Sequence, residues 1–312
     1  MLKYGFGVDV GGTTCKLGLF KEDGSLLDKW EIKTVTEDGG KAILPDIAKS
    51  INEKIEEMHL NREDVIGIGL GVPGPVTDDG VIRKAVNLGW DVFNIEETLS
   101  EISGFKVKAG NDASVAALGE SWVGGGKDYN SIVLVTLGTG IGGGIVINGK
   151  ILSGAHGAGA EIGHIVINPD EPVACNCGLH GCIEQYASAT GIVRVAKEYI
   201  ANTDKESKLK AIDDVSAKDV FDAAKAGDAL ALEIVDDVCG KLATMLGRVC
   251  CTVDPEVVLI GGGVSKAGEI ITDTIKKTFA DKTFHACRET KIELATLGND
   301  AGIFGAAKLI FE

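Results

Sequence analysis

Short apolar runs that stop at glycine-rich turns are the feature of this sequence that most constrains its fold. Residues 4–10, 132–137 and 257–260 are such runs, and at least two glycines follow each within a few residues. A short apolar run bounded by turn residues is typical of a buried strand. Segments with helical spacing lie between these runs, so the sequence predicts an α/β protein with largely parallel sheets.

The same patterns place the other elements along the chain. Apolar residues recur at helical spacing in six segments, which are 42–58, 112–122, 187–200, 229–250, 267–279 and 301–310. Further strands are predicted at 16–20, 65–70, 144–147 and 292–295 and around Val107, with a glycine turn at 138–144.

An internal repeat is visible in two of the strand pairs. Residues 8–20 resemble residues 135–147, since in both a strand leads through a glycine turn with threonine into a second strand. Two similar lobes facing one another would place both turns at a shared cleft. The alternative is a pair of unrelated hairpins in a chain with 43 glycines among 312 residues, and the repeat alone favours neither.

The charge balance restricts the partners of this chain. With 31 basic and 46 acidic residues, its net charge is −15. Nucleic acids and anionic membranes both need clustered Lys and Arg, so we expect neither as a partner. Phosphate ligands are not excluded, because backbone N–H groups hold them without side-chain charge.

The N-terminus and the cysteines bear on location. Residues 1–5 lack the basic start and apolar run of an export signal, so we expect a cytoplasmic protein with reduced thiols. Residues 129–149 carry no charge but include six glycines. That composition favours two buried strands around a turn over a membrane-spanning helix.

The first phosphate-loop candidate follows the N-terminal strand. It combines small, hydroxyl and charged residues, which are Asp9, Gly11, Gly12, Thr13, Thr14 and Lys16. The glycines let backbone N–H groups approach an anion, and Asp9 could hold Mg²⁺ through water. The loop lacks the Gly-Lys-Ser/Thr ending of a Walker A motif, and a strand follows it rather than a helix. A plain hairpin is the alternative.

Two further glycine-rich loops are candidates for nucleotide binding. The first contains five glycines within 138–144, and there Gly138, Thr139 and Gly140 are expected to meet phosphates, with Thr139 as the hydroxyl donor. The second contains Gly262 and Gly263, between a buried strand and a helix. That position suits a nucleotide lying across the strand end, and a simple strand-to-helix turn is a stronger alternative here than a structural turn is for the first of these loops.

Asn111 and Asp112 open a predicted helix after a short strand. An aspartate in this position can accept the proton of a substrate hydroxyl while the asparagine orients that hydroxyl. Asn and Asp are also favoured helix N-caps, and a cap is the alternative for this pair.

Four residues have the composition of a tetrahedral zinc site, namely His164, Cys175, Cys177 and Cys182. A redox pair is disfavoured because Cys-x-Cys lacks the two-residue spacer, and free buried cysteines are the remaining alternative. The other five cysteines are expected to be small core residues.

Glu161 and Glu184 bracket the zinc loop, and in that position their carboxylates are candidate acceptors for sugar hydroxyls. Asn87 is a candidate for a further polar contact or a turn residue.

Taken together, these motifs resemble the ROK family of repressors, open reading frames and sugar kinases, and most closely its bacterial glucokinases. The resemblance covers essentially the whole chain. It rests on Asp9-x-Gly11-Gly12-Thr13-x-x-Lys16, Gly71-x-Pro73-Gly74-Pro75, Asn87-Leu88-Gly89-Trp90, Asn111-Asp112, the glycine loop at 137–144, Glu161-x-Gly163-His164, Cys175-x-Cys177-Gly178-x-x-Gly181-Cys182-x-Glu184 and Gly261-Gly262-Gly263.

The resemblance implies two ribonuclease-H-like lobes of the actin and hexokinase type with a cleft between them. The smaller lobe would span 1–112, with the C-terminal helix 301–312 packing back on it, and the larger lobe, at 113–300, would carry the zinc loop. The implied reaction transfers the γ-phosphate of ATP, with Mg²⁺, to the 6-hydroxyl of D-glucose.

The resemblance also implies roles for individual residues. Asp112 would be the general base, and the sugar would be held by Asn111, Glu161, His164 and Glu184, with Asn87 helping. His164 would bind a structural zinc through one ring nitrogen and a sugar hydroxyl through the other. Phosphates would lie against Gly12, Thr13 and Thr139, and adenosine against Gly262 and Gly263.

Other functions within the family are alternatives. A kinase for fructose, allose, N-acetylmannosamine or N-acetylglucosamine could differ by a single pocket side chain. A sugar-responsive repressor would carry an N-terminal DNA-binding extension, for which the first strand leaves no room. The charge of −15 disfavours a polyphosphate donor. The family pattern further suggests a homo-oligomer, either a dimer or a tetramer.

Overall fold

The computed structural model describes residues 3–312 as a mixed α/β protein. Met1 and Leu2, at the start of the segment judged to lack an export signal, lie outside the described residues. The helices are α1 (Ile43–Glu57), α2 (Ile95–Ser103), α3 (Asp112–Val123), α4 (Glu184–Ala187), α5 (Ala189–Ala201), α6 (Ala217–Lys225), α7 (Ala229–Val253), α8 (Glu269–Lys282) and α9 (Ala301–Phe311). The strands are β1 (Tyr4–Val10), β2 (Thr14–Lys21), β3 (Leu26–Lys33), β4 (Val65–Val72), β5 (Val81–Ile82), β6 (Phe93–Asn94), β7 (Val107–Asn111), β8 (Ser131–Leu137), β9 (Ile141–Ile147), β10 (Lys150–Ile151), β11 (Val257–Gly261) and β12 (Lys291–Leu294).

Two five-stranded sheets share one topology. Their orders are β3-β2-β1-β4-β7 and β10-β9-β8-β11-β12, so each strand of the first sheet has a counterpart in the second. β1 pairs antiparallel with β2 and parallel with β4, and β8 pairs parallel with β11. The repeat between residues 8–20 and 135–147 therefore reflects two ribonuclease-H-like sheets rather than two unrelated hairpins.

The contacts divide the chain into two compact units. Unit 1 comprises 1–130, 144–160 and 297–312, and unit 2 comprises 131–143 and 161–296. The lobe predicted from the sequence ends at Asp112, whereas in the structure α3 also belongs to unit 1. The reason is that α3 packs closely on α9, which also belongs to unit 1.

The core of unit 1 forms on both faces of its sheet. On one face, α1 buries Ile43, Ile47 and Ile51, which recur every four residues as helical spacing requires. On the other face, α9 lies directly on β1 and β4. Close approach is achieved by glycine there: a Cβ on Gly7 or Gly69 would come within 3.0 Å of the α9 backbone, which real Cβ atoms do not do.

Unit 2 is built around its own parallel strands and the long helix α7. Every residue of β11 is buried, and Leu242 and Leu246 of α7 are buried among the core residues. At Gly247 the α7 backbone approaches the Lys282 carbonyl at the end of α8, and there a Cβ would clash.

Most predicted elements are present, and the differences have local causes. The predicted helix 187–200 is broken at Ser188, whose side chain caps α5 by accepting from Gly191 N–H. The predicted turn 138–144 is shorter, because β9 begins at Ile141. The patterns did not predict β3, α2 or α6; in β3, intermediate and exposed residues alternate, so no apolar run marks it.

The uncharged stretch 129–149 forms β8 and β9, as predicted. Among residues 3–312, no helix combines the length and apolarity needed to cross a membrane.

The contact between β4 and α9 predicts a stability effect. Gly69→Ala would force the α9 backbone away from the sheet, and we expect the free energy of unfolding to fall by about 3 kcal/mol, the scale of overpacking. Gly240→Ala is the matched control, since a Cβ there meets nothing within 4 Å in the middle of α7. That control should gain about 0.5–1 kcal/mol. Urea unfolding followed by circular dichroism measures both changes, and a Gly69→Ala protein as stable as wild type contradicts this packing.

Candidate functional site

The first glycine loop is a tight turn held in place by Thr34. Gly11 N–H donates to the Thr14 carbonyl at 3.0 Å, and Thr34 N–H donates to the Thr13 carbonyl at 2.9 Å. The Thr34 hydroxyl donates to the Gly11 carbonyl at 2.7 Å. These bonds use the loop's carbonyls and leave the tip, from Gly12 to Thr14, exposed. Thr34 was not singled out in the sequence, because a lone threonine after β3 carries no motif.

Two aspartates of unit 1 interact near the ends of their strands. Asp9 lies in β1 and Asp112 directly follows β7. The pKa of Asp9 is raised to about 6, first by burial and then by the negative charge of Asp112, while Lys16 lowers it. Burial likewise raises the pKa of Asp112, and hydrogen bonds from Ala113 and Asn111 oppose that rise. Burial therefore makes both carboxyl groups easier to protonate than an exposed aspartate, and the negative charge of Asp112 adds to this effect at Asp9.

Asn111 is the N-cap of α3 in this structure. Its Oδ1 accepts from the N–H groups of Ala113 at 3.1 Å and Ser114 at 3.2 Å, and its Nδ2 donates to the Gly74 carbonyl at 3.4 Å. Asp112 is the first residue of the helix, and its Oδ1 accepts from Ala113 N–H at 2.8 Å. The Ala113 N–H group therefore orients the Asp112 carboxylate.

Lys16 and α9 complete the surroundings of Asp9. The Lys16 Nζ donates to the Asn299 carbonyl at 3.1 Å, just before α9 begins. Gly302, in the first turn of α9, lies against the Asp9 carboxylate so closely that a Cβ would clash with its Cγ. The sequence motifs did not single out Gly302, which is distant from Asp9 in the chain.

His164, Cys175, Cys177 and Cys182 of unit 2 form a cluster able to hold a metal ion. Their ligand atoms all lie within 4.8 Å of one another. The Sγ atoms of Cys177 and Cys182 are 3.6 Å apart, and Cys175 Sγ lies 3.9 Å from His164 Nδ1. Zn–S bonds of about 2.3 Å in a tetrahedron need sulfurs roughly 3.8 Å apart, so these residues fit zinc. Nδ1 is the ring nitrogen that faces the thiols.

A second set of contacts holds the cysteine loop from outside the cluster. The buried Glu171 carboxylate accepts from the Tyr186 hydroxyl at 2.5 Å and from Arg194 Nη2 at 3.1 Å. The Gln185 Oε1 accepts from Cys182 N–H at 3.1 Å. None of these side chains was predicted, because their roles depend on contacts rather than on a motif.

The glycine loop of unit 2 is bound to the segment that carries this cluster. Ile141 N–H donates to Glu184 Oε2 at 2.8 Å. Ala189 N–H, at the start of α5, donates to the Gly138 carbonyl at 2.8 Å. The other Glu184 oxygen, Oε1, lies 3.9 Å from Cys175 Sγ. Glu184 therefore contacts the loop through one oxygen and approaches the metal cluster with the other.

A cavity of about 550 Å³ opens beside the same loop. Its walls come from the glycine loop, α6 and the turn after β11, and include Gly138, Thr139, Phe221, Gly263 and Val264. That size suits a nucleoside. Gly263 lines the cavity, whereas Gly262 has a positive φ of 83° and lies against the Leu137 backbone.

The two remaining predicted sugar contacts lie at exposed positions. Asn87 belongs to a short turn at Val86–Leu88 in unit 1, and Glu161 immediately precedes the turn Ile162–His164 in unit 2. Both side chains are exposed.

Comparison with known proteins assigns the chain to a family. The ROK family pattern matches residues 5–312. The chain belongs to the ROK family. A glucokinase from Halalkalibacterium halodurans is 44% identical over 310 residues, which cover 97% of this chain and 94% of that protein.

Solved ROK structures are also similar to this chain. The ROK hexokinase from Thermus thermophilus is 32% identical with a TM-score of 0.82, and the match covers 97% of this chain and 96% of that one. A ROK family glucokinase from Streptomyces griseus in complex with glucose and AMPPNP is 31% identical with a TM-score of 0.76, covering 99% of both chains. The mixed α/β fold with two sheets is therefore that of ROK sugar kinases.

The cluster geometry predicts one metal ion per chain of this ROK protein. Cys177→Ala removes one of four ligands, and we expect the variant to lose the metal and most of its sugar affinity, because the metal orders the loop that ends at Glu184. Metal content by mass spectrometry and glucose binding by calorimetry measure the two effects. Cys251→Ala is the matched control, since Cys251 is exposed and lies outside the cluster. Full glucose affinity in a metal-free Cys177→Ala protein would refute the link.

Proposed function

We propose that this ROK protein is an ATP-dependent glucokinase that transfers the γ-phosphate of ATP to the 6-hydroxyl of D-glucose. The observation that carries the proposal is the position of Glu184 in unit 2. One oxygen of its carboxylate accepts a hydrogen bond from the glycine loop, and the other oxygen lies next to Cys175 of the metal cluster. The glucokinase relative at 44% identity and the neighbour that holds glucose and AMPPNP support the choice of sugar and donor.

The sugar is held by polar side chains at positions that match the family's motifs. In unit 2 these are Glu161, His164 and Glu184, and in unit 1 they are Asn111 and Asn87. Because Nδ1 of His164 faces the thiols, Nε2 is the ring nitrogen that reaches the sugar hydroxyl. The metal is Zn²⁺ in a structural role, since its four protein ligands leave no open coordination position.

Asp112 acts as the general base. Its Oδ1 accepts the Ala113 N–H, which orients the carboxylate and supports its ionised form. The carboxylate accepts the proton of the 6-hydroxyl as that oxygen attacks the γ-phosphorus, and the bond from phosphorus to the ADP oxygen breaks. Phosphoryl transfer requires placement and charge stabilisation more than covalent help from the protein.

ATP would place its nucleoside in the cavity beside Gly263 and its phosphates against the exposed glycine-loop residues. Thr139 and the N-terminal residues Gly12 and Thr13 supply donors to the phosphates. Asp9 fits a water-mediated Mg²⁺ contact, because its carboxyl group is largely buried and interacts with Asp112, and a dication would stabilise its charged form. When bound, Mg²⁺ neutralises charge developing on the phosphates.

The location and assembly follow the family pattern. We place the enzyme in the cytoplasm, where ATP is available, as a homo-oligomer. Other hexoses and a sugar-responsive regulator are the competing functions, and one assay separates them.

The decisive measurement is ATP-dependent turnover over glucose, fructose, allose, N-acetylmannosamine and N-acetylglucosamine, repeated with polyphosphate as donor. We expect kcat/KM for glucose with ATP to exceed every other combination by about tenfold or more.

In the same assay Asp112→Asn should lower kcat by at least about 10²-fold, the scale of general-base removal. The exposed Asp78→Asn serves as the control. Turnover of no hexose, or an Asp112→Asn enzyme with near-normal kcat, contradicts the proposal.

The aspartate pair predicts the acid limb of the pH profile. A carboxylate with a raised pKa takes up its proton at a higher pH, so kcat/KM at limiting Mg²⁺ should fall as the pH is lowered through about 6, the pKa of Asp9. Lys16 lowers that pKa, so Lys16→Gln should move the acid limb to higher pH. The control Lys33→Gln, an exposed lysine of β3, should leave it in place. A limb that is unmoved in Lys16→Gln shows that Asp9 does not control it.

A further inference from the structure

We propose that Gly140 positions the sugar-binding carboxylate of Glu184, so that a residue of the phosphate loop sets the affinity for the sugar. The inference rests on the proposed function and deepens it. It assigns to Gly140 a role toward the acceptor sugar in addition to the phosphate contact expected from its loop.

The first observation is the hydrogen bond between the two motifs. Glu184 is the first residue of α4, two positions after the cluster residue Cys182. Its Oε2 accepts Ile141 N–H at 2.8 Å, while Oε1 lies 3.9 Å from Cys175 Sγ. One carboxylate oxygen is therefore committed to the glycine loop. The other is the oxygen available to a sugar hydroxyl.

The second observation is that this hydrogen bond does not stand alone. Thr190 Oγ1 donates to the Thr139 carbonyl at 2.9 Å, and Ala189 N–H donates to the Gly138 carbonyl at 2.8 Å. Gly163 lies so close to the Ile141 carbonyl that a Cβ would clash with it. The phosphate loop and the segment bearing the sugar and metal residues are thus joined at successive points.

The third observation is the space at Gly140. A Cβ there would approach Glu184 Oε2 to less than 3.0 Å, and its other near neighbours are atoms of the same carboxylate. Gly140 is not among the residues with positive φ, so its backbone accepts alanine. Since Oε2 is the far end of a flexible side chain, Gly140→Ala displaces the carboxylate and leaves the loop backbone in place.

These contacts couple the two ligands. When ATP, the phosphoryl donor, fixes the glycine loop of unit 2, it also fixes the Ile141 N–H group. That group holds the Glu184 carboxylate in the orientation that meets the sugar. By linkage, sugar bound to Glu184 favours the same loop conformation and strengthens nucleotide binding by an equal factor.

Gly138 provides a matched control in the same loop. A Cβ there has only an ordinary contact, 3.9 Å from the Gly140 carbonyl, and Gly138 lines the nucleotide cavity. Gly140→Ala should raise the glucose Kd, measured by calorimetry without nucleotide, by about tenfold or more, since a hydrogen bond to a charged group is lost. Gly138→Ala should shift the ATP KM and keep the glucose Kd within about twofold. Both should retain the metal.

The inference is overturned if the two variants have equal glucose Kd values, or if Gly140→Ala changes the ATP KM alone. A measurement on wild type tests the coupling without relying on a folded variant. A saturating concentration of a non-hydrolysable ATP analogue should lower the glucose Kd by about threefold or more. An unchanged glucose Kd contradicts the coupling.

The failure of this inference is distinguishable from failure of the proposed function. If wild type phosphorylates no hexose, the proposed function fails. If wild type phosphorylates glucose while Gly140→Ala and Gly138→Ala bind glucose equally well, only the role of Gly140 fails.

Discussion

The close packing of α9 on the glycine-bearing strands β1 and β4 is the constraint on which unit 1 depends. The helix comes from the end of the chain, yet a Cβ at Gly7 or Gly69 would overlap its backbone. Side chains of ordinary size would hold α9 farther from the sheet. Because α9 lies so close, Gly302 of its first turn rests against the Asp9 carboxylate. The same contact that completes the core therefore limits the space around a residue proposed to hold Mg²⁺.

In unit 2, polar contacts hold the cysteine loop in place. Its cysteine loop has little regular structure, so its conformation depends on the metal cluster and on the buried Glu171, which pairs with Arg194 and Tyr186. The loop then leads into α4, where Glu184 contacts the N–H of Ile141. The metal cluster, the glycine loop and Glu184, which we propose to bind the sugar, are thus joined by one continuous set of contacts. A change in the metal cluster or in the glycine loop is therefore expected to shift the Glu184 carboxylate.

Asp9 and Asp112 of unit 1 lie in an environment that disfavours their charged forms. Burial and the negative charge of Asp112 raise the pKa of Asp9 to about 6, and burial also raises the pKa of Asp112. Perturbed carboxylates of this kind are typical of functional sites, and a dication or a substrate proton relieves the unfavourable charge.

The sequence by itself determined what local patterns encode. Strands such as β1 and β8 follow from apolar runs ended by glycine, and the metal cluster follows from a His/Cys set in which each ligand lies close to the next along the chain. The tertiary structure alone decided the pairing of Asp9 with Asp112, the support of the first loop by Thr34 and the bond from Ile141 to Glu184. These contacts join distant segments through common residue types. Their energies arise only when folding excludes water and brings the partners within hydrogen-bonding distance.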